Sequence, residues 1–239
     1  VALWVNIGPN YDSSSYEYDF LKCFYNITKY ALADYVTINI SSPNTENLRD
    51  YQEESKLESL IKEINKLKKT PISVSDMSIS LKRAIGLPGK EIIDIPVFLK
   101  LSPDIKDSSV EKISEIVINQ KISGVILTNT SNINRSSLKS SNKNQVGGLS
   151  GKPIRELSTE LIKKFYKKLK GKAYIIGVGG VDSGKSAFEK IAAGANAVQL
   201  YTGMIYKGPG IVKEIKKELI QILKEEGIKN IKEAVGKDV

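Results

Sequence analysis

The chain has 239 residues, of which 41% are hydrophobic and 26% are charged, and its formal net charge is +9. This length and composition predict one globular domain with a sizeable core, and no stretch approaches the roughly 18 uninterrupted apolar residues of a membrane span. Histidine is absent and Cys23 is the single cysteine. These counts exclude a Ser-His-Asp triad, a histidine-bound zinc ion and an intrachain disulfide.

The basic excess is spread along amphipathic segments of the sequence. Lys163, Lys164, Lys167 and Lys168 are typical of it, with no interleaved aromatic residues and no known nucleic-acid motif. Lysines in this pattern indicate a solvated helix face, so we predict no nucleic-acid partner.

Six short apolar runs, rich in valine, isoleucine and leucine, follow one another along the chain without alternating in polarity. Such runs are typical of parallel strands that are buried on both faces. They are Ala2–Ile7, Tyr35–Ile40, Pro96–Leu101, Gly124–Thr128, Tyr174–Val178 and Ala197–Tyr201.

Amphipathic helical patterns separate these runs. They cover Leu57–Leu67, Val110–Val117, Leu157–Leu169 and Ile211–Leu223. Strands that alternate with helices predict a parallel α/β fold. The chain starts without methionine inside an apolar run, Val1–Val5, and we interpret this as a chain that lacks its natural beginning.

Two irregular stretches interrupt the alternation. Residues 70–94 contain Gly86, Pro88 and Gly89, and we interpret them as an insertion or a mobile loop. Ser131–Gly147 is rich in serine and asparagine and is predicted to be a surface loop.

Every predicted strand ends in small, amide, hydroxyl or ammonium groups. One such residue at a strand end is usually a turn or a cap, but six strands in succession are harder to explain in that way. In a barrel of parallel strands these ends converge on one face, where the active sites of such barrels lie. The residues concerned are Asn6, Asn39, Lys100, Thr128, Gly179, Gly180, Tyr201 and Thr202.

The last two strand ends predict a phosphate site. Gly179–Gly184 turns into a helix that starts near Lys185, next to Tyr201 and Thr202. Glycines let the backbone approach a ligand closely, and a helix N-terminus offers free N–H groups to an anion. A glycine turn is also common for purely geometric reasons, so its position beside the last strand carries much of the argument.

Lys100 lies within an apolar strand, between Leu99 and Leu101. A buried lysine needs a counter-charge, so one interpretation is an ion pair with a neighbouring carboxylate. The other is a positive charge held against an electron-rich cofactor ring, which it would stabilise in the reduced, anionic form.

These residues fall within motifs that resemble those of dihydroorotate dehydrogenases. Six motifs occur in the family's order, and together they span nearly the whole chain except residues 70–94 and 131–146. They are Asn39–Thr45 with Leu48-Arg49, Val97–Asp104, Thr128–Thr130, Gly147–Gly151, Ile176–Val181 and Gln199–Thr202.

The resemblance implies an α/β TIM (β/α)8 barrel, with about six of the eight βα units in this chain and residues 1–239 as a single FMN-binding domain. Because serine, here Ser42, replaces the cysteine base of the soluble members, it implies the membrane-associated, quinone-dependent class. That class oxidises dihydroorotate to orotate in pyrimidine biosynthesis, with FMN as cofactor and ubiquinone as acceptor. The resemblance also implies a location at the mitochondrial inner membrane, which members of that class bind through N-terminal helices. We expect those helices, and the first two strands of the barrel, to be absent from this chain.

The resemblance also assigns site residues by position. Ser42 is the expected base, Thr45 the next member of its proton relay, and Lys100 the charge beside the flavin. The expected FMN contacts are Asn6, Asn39, Lys100, Thr128, Gly151, Gly179, Gly180, Tyr201 and Thr202, with Ser150 supporting the flavin loop. The expected contacts to dihydroorotate or orotate are Asn39, Asn44, Asn129 and Thr130, whose amides and hydroxyl suit a planar ring of amides.

One position departs from the family pattern. Asn47 stands where the family usually has glycine, and asparagine tolerates the left-handed conformation better than most residues.

The first alternative function is another FMN-dependent barrel oxidoreductase, such as a flavin reductase of pyrimidines or tRNA uridines. The second is a barrel fragment that keeps the fold without catalysis.

Overall fold

A computed structural model describes residues 2–30, 32–69, 95–133, 135–136 and 138–239. The stretch 70–94, predicted to be an insertion or a mobile loop, lies outside the described residues. Within this part of the chain the predicted alternation of strands and helices is confirmed.

Six parallel strands form one sheet in which every strand pairs with its neighbours in chain order. Their continuous apolar sequences fit their burial, since β3 and β4 are almost entirely enclosed. The strands are β1 (Trp4–Ile7), β2 (Tyr35–Asn39), β3 (Val97–Leu101), β4 (Gly124–Leu127), β5 (Tyr174–Gly177) and β6 (Ala197–Val198). The register places Lys100 between Asn39 on β2 and Ile126 on β4, so the predicted site residues share one end of the sheet.

At least one helix lies between each pair of consecutive strands along the chain, as in other parallel α/β folds. Most of these helices bury an apolar stripe, as Leu57, Leu60 and Ile61 do, whereas the short helix Thr202–Lys207 buries no residue. The α-helices are α1 (Tyr16–Lys29), α2 (Glu54–Lys68), α3 (Asp107–Asn119), α4 (Arg155–Leu169), α5 (Gly184–Ala192), α6 (Thr202–Lys207) and α7 (Ile211–Glu225). Among the described residues, 3-10 segments cover Leu48–Gln52, Lys152–Ile154 and Ile231–Ala234. No described helix is both long and apolar enough to cross a bilayer.

The core lies on both faces of the curved sheet. The larger part packs the outer face of the strands against the helices, with Phe20, Phe24 and Phe165 completely enclosed. A smaller cluster around Phe98 and Ile126 lines the inner face.

In the described part of the chain β1 and β6 each pair on one side only, so the sheet is a partial barrel with two open edges. This agrees with the prediction of six of the eight βα units. The last strand is shorter than predicted, since β6 ends at Val198 and helix α6 begins at Thr202. The apolar residues Leu200 and Tyr201 extend the sequence pattern beyond the strand and line a cavity instead.

Candidate active site

A cavity of about 510 Å³ opens at the carboxyl ends of strands β3 to β6, a volume in the usual range for cofactor and substrate sites. It brings together most of the residues predicted from the strand ends. The predicted residues that line it are Lys100, Thr128, Asn129, Thr130, Ser150, Gly151, Gly179, Gly180, Tyr201 and Thr202. Trp4, Ile154, Val178, Val181, Gln199, Leu200 and Gly203 complete the wall.

Lys100 is the penultimate residue of strand β3, and it lines this cavity. Burial lowers the pKa of Lys100 below the ordinary value of a lysine. No described carboxylate forms a salt bridge with it. The ion-pair interpretation therefore has no support, and the arrangement favours a cation held for a ligand.

Three side chains of the predicted substrate region contact one another beside Lys100. The Asn129 amide Nδ2 donates to Asn39 Oδ1 at 3.2 Å and to Ser41 Oγ at 3.0 Å, while Ser41 Oγ donates to Asn39 Oδ1 at 2.8 Å. The Thr130 N–H donates to Asn129 Oδ1 at 2.8 Å. These bonds fix which face of each amide is offered to a ligand.

Arg49 joins three loops around the site. Its Nε donates to the Ser41 carbonyl oxygen at 3.3 Å, and its terminal nitrogens donate to Asp104 Oδ2 at 2.9 Å and to the Thr130 carbonyl oxygen at 3.1 Å. Asp104 is itself anchored, because Ser131 Oγ donates to its Oδ1 at 2.6 Å. A planar guanidinium suits such divergent acceptors, so Arg49 fixes the loops after β2, β3 and β4 relative to one another.

Replacing Arg49 with glutamine should lower the free energy of unfolding by about 1–3 kcal/mol, because charge-assisted hydrogen bonds are lost and Asp104 keeps its charge without its partner. Urea unfolding of the flavin-free protein measures this loss. Lys56→Gln is the matched control, since its pair with Asp50 is exposed and should contribute less than about 1 kcal/mol. Equal losses in the two variants would contradict the role of Arg49.

The glycine turn after β5 has the geometry of an anion site. Gly179 and Gly180 have φ values of +106° and +77°, and a Cβ added at Gly180 would lie 2.6 Å from Arg155 Cβ. Arg155 supports the turn, since its Nε donates to the Gly180 carbonyl oxygen at 2.8 Å. The backbone N–H groups of Gly179, Gly180 and Val181 donate to no acceptor within the described residues. Free donors at a turn lining a cavity fit the phosphate group of a cofactor.

The helix that follows differs from the prediction. We expected its N-terminus to offer free N–H groups, but several of them are already satisfied. The Ser186 N–H donates to Ser183 Oγ at 3.2 Å, the Ser183 N–H donates to Ser186 Oγ at 3.0 Å, and the Gly184 N–H donates to the Glu218 carboxylate. A capping box thus occupies the helix end, and the free donors belong to the preceding turn.

The second wall of the predicted phosphate site comes from the loop before α4. Gly151 has a φ value of +76°, and a Cβ placed there would lie 2.9 Å from Thr202 Cγ2. Thr202 Oγ1 donates to Ser150 Oγ at 2.9 Å, which agrees with a supporting position for Ser150. Gly151 is therefore needed both for its backbone conformation and for the close approach of α6.

The loop after β2 lies beside the cavity but does not line it. Ser42 Oγ accepts the Asn44 N–H at 3.3 Å, and no hydrogen bond joins Ser42 to Thr45 in the described part of the chain. Asn6, which is exposed near the edge of the sheet, also stays outside the lining. Asn47 has a φ value of 55°, as expected where the family usually has glycine.

A model of the family described as dihydroorotate dehydrogenase matches residues 2–223. The chain belongs to the dihydroorotate dehydrogenase family. Among curated relatives, the mitochondrial dihydroorotate dehydrogenase (quinone) of Arabidopsis thaliana is 37% identical over 99% of this chain and 48% of its own length. The dihydroorotate dehydrogenase (quinone) of Idiomarina loihiensis is 40% identical over 91% of this chain and 60% of its own length.

Solved structures of dihydroorotate dehydrogenases share the fold. The ligand-free enzyme of Eimeria tenella superimposes with a TM-score of 0.87 at 36% identity, over 99% of this chain and 64% of the other. Its complex with ferulenol gives a TM-score of 0.84 at 34% identity, over 98% of this chain and 61% of the other. The chain thus spans about half to two thirds of the length of its family relatives, which agrees with a partial barrel.

The sequence did not predict the side chains that hydrogen-bond to the loops around the cavity without lining it. Arg49 and Asp104 were visible only as members of motifs, and nothing in their spacing of 55 residues indicated a contact. Arg155 was also missed. The place of Gln199 in the cavity wall was not predicted either, although Gln199 begins one of the family motifs. A signal for Gln199 was available, because it precedes Tyr201 and Thr202 at the same strand end.

Proposed function

We propose that this chain forms the flavin-binding barrel of a quinone-dependent dihydroorotate dehydrogenase, which oxidises dihydroorotate to orotate in pyrimidine biosynthesis. The observation that carries the proposal is the meeting of Lys100, Asn129, Thr130 and the free N–H groups of the glycine turn around one cavity. A cation, amide groups and an anion site are the three features that a flavin and a cyclic amide substrate require.

FMN fits the lining of this cavity. The unpaired N–H groups of Gly179–Val181 would hold its phosphate, while Thr128 and Lys100, which line the same cavity, would contact the ring. Bound FMN supplies the acceptor for the hydride that leaves the substrate. FMN contacts at Asn6 and Asn39 are part of the proposal, although neither side chain lines the cavity.

The substrate would lie against the amides near Lys100. Asn39 and Asn129 already bond to each other, so a ligand meets donors and acceptors of fixed orientation. Asn44 and Thr130 would complete the contacts from the neighbouring loops.

Ser42 is the proposed base, with Thr45 and a water molecule as the path for its proton. A serine hydroxyl is a weak base on its own, and the chain contains no imidazole to activate it. Ser42 does not line the cavity in the structure, and we propose that residues 42–50 close over the substrate, as an active-site lid does. Closure would also exclude water from the reacting atoms.

Ubiquinone and the membrane belong to the same proposal. The bacterial and plant relatives carry the word quinone in their names, and those of Arabidopsis and rice are mitochondrial. We place the present enzyme peripherally on the mitochondrial inner membrane, with quinone access provided by sequence outside this chain. Nucleic acid has no part in this function.

The purified protein should be yellow, and denaturation should release FMN and not FAD. Anaerobic addition of dihydroorotate should bleach the flavin, and a soluble ubiquinone should restore its absorbance. Recovery of FAD, or folded protein without flavin, would reject the assignment. Bleaching by a reduced nicotinamide but not by dihydroorotate would favour another flavin-dependent barrel oxidoreductase.

A further inference from the structure

A second lysine lies beneath the cavity, and the proposed reaction does not use it. Lys190 on α5 is completely buried. Its ammonium donates to Ser158 Oγ at 3.0 Å, to Thr159 Oγ1 at 3.2 Å and to the Arg155 carbonyl oxygen at 3.5 Å. All three acceptors are neutral, and no described carboxylate forms a salt bridge with Lys190.

A buried ammonium without a counter-charge is costly, since neutral oxygens replace only part of its lost hydration. Burial, and after it the positive charge of Arg155, lower the pKa of Lys190 to about 7, although Glu189 opposes this shift. A methionine or leucine would fill the same space in the core without this cost. A titratable amine at this buried position therefore needs a reason that packing does not supply.

Ser158 connects Lys190 to the glycine turn. While Ser158 Oγ accepts from the ammonium, it donates to the Val178 carbonyl oxygen. The Ser158 Cβ would lie 3.2 Å from a Cβ added at Gly179. The carbon chain of Lys190 packs beneath the start of the same turn, where a Cβ on Gly177 would lie 3.2 Å from Lys190 Cβ. The ammonium of Lys190 is thus one hydrogen-bonded side chain away from the start of the turn that carries the free N–H groups.

We propose that Lys190 is a positioning residue for the cofactor phosphate: through Ser158 it holds the Val178–Gly180 turn and places a buried positive charge behind it, which the bound phosphate balances. This inference rests on the proposed function, because it takes the ligand to be a flavin with a phosphate group. It assigns the missing counter-charge of Lys190 to the ligand and not to the protein.

The experiment compares two ligands that differ only in the phosphate. Apoprotein is titrated with FMN and with riboflavin, and quenching of flavin fluorescence gives each dissociation constant. In Lys190→Met the affinity for FMN should fall by about tenfold or more, because two charges attract strongly where water is excluded. The affinity for riboflavin should change by less than about threefold, a factor comparable to the context dependence of single contacts. Lys216→Met, which removes an exposed lysine of α7, should leave both affinities unchanged.

Two further variants keep the comparison decisive if Lys190→Met does not fold. Lys190→Gln keeps hydrogen-bonding capacity without charge, and Ser158→Ala keeps the charge but removes its link to Val178. Both should reduce the preference for FMN over riboflavin.

Equal weakening of both ligands, or a preference like that of the wild type in all three variants, would overturn the role of Lys190 while the proposed function stands. If the wild-type protein binds neither flavin, the proposed function itself fails. The two failures are therefore distinguishable in one set of titrations.

Discussion

Replacing Ser42 with alanine should slow the reduction of the bound flavin by dihydroorotate about 10²–10⁴-fold, the usual contribution of a positioned general base. The substrate must lose a proton from one carbon while a hydride leaves its neighbour. Without the Ser42 hydroxyl, that proton has no acceptor within the closed loop. Anaerobic stopped-flow absorbance at the flavin band isolates this step from quinone reduction.

Two companion variants separate loss of the base from loss of the loop. Ser42→Cys should retain part of the activity with a changed pH profile, because a thiol can fill the same position. Thr45→Ala should slow the same step less than Ser42→Ala does, since water can replace its hydroxyl in the relay. Orotate should still bind to all three variants.

A wild-type rate of flavin reduction in Ser42→Ala would place the base elsewhere and leave the quinone-dependent class resting on the named relatives alone. Unchanged reduction with slower reoxidation by quinone would have the same consequence. A loss of orotate binding in parallel with the rate would show that Ser42 only shapes the loop.

The strands could be predicted from sequence because burial on both faces determines their composition. A strand buried on both faces by helices outside and side chains inside, such as β4, contains only apolar residues and glycine. The same reasoning extended the last strand too far, to Tyr201. That side chain is 76% exposed, and its apolar neighbour Leu200 borders the cavity instead of continuing the ladder.

The convergence of the site was predictable, but its supports were not. Parallel strands bring their carboxyl ends to one edge whatever their loops contain, which is why Lys100, Thr128 and Gly179 meet. The Arg49–Asp104 contact depends on how two loops fold across the site, and no local pattern encodes it. The capping box after Gly180 was equally hidden, because Ser183 and Ser186 read as ordinary helix-start residues.

Lys190 is an exception to the prediction that lysines on amphipathic helices are solvated. Lysines on amphipathic helices are usually solvated, and this rule holds for most of the chain. Yet Lys190 falls at helical spacing with Ser186 and Ala187, four and three residues before it, which are both buried. Its position on the apolar stripe was the available signal that it faces inward.

Replacing Lys100 with alanine should slow flavin reduction by about 10²–10³-fold, the typical cost of removing one preorganised electrostatic group from a reaction centre. Lys100 is positioned for this effect, because it lines the cavity and no described carboxylate forms a salt bridge with it. A positive charge held at the cavity wall favours the electron-rich form of the ring, so its loss should also move the flavin potential to more negative values. Spectroelectrochemical titration measures the potential, and stopped-flow reduction measures the rate.

The control for Lys100 is Lys106→Met, which removes an exposed lysine shortly after the same strand. It should leave both the potential and the rate unchanged, because charge on the surface is screened by solvent. Lys100→Arg should restore part of the potential but little of the rate, since a guanidinium keeps the charge and alters its position. If Lys100→Ala keeps the wild-type potential and rate, the lysine stabilises only the protein. A slower rate at unchanged potential would mean that Lys100 orients the substrate instead of acting on the ring.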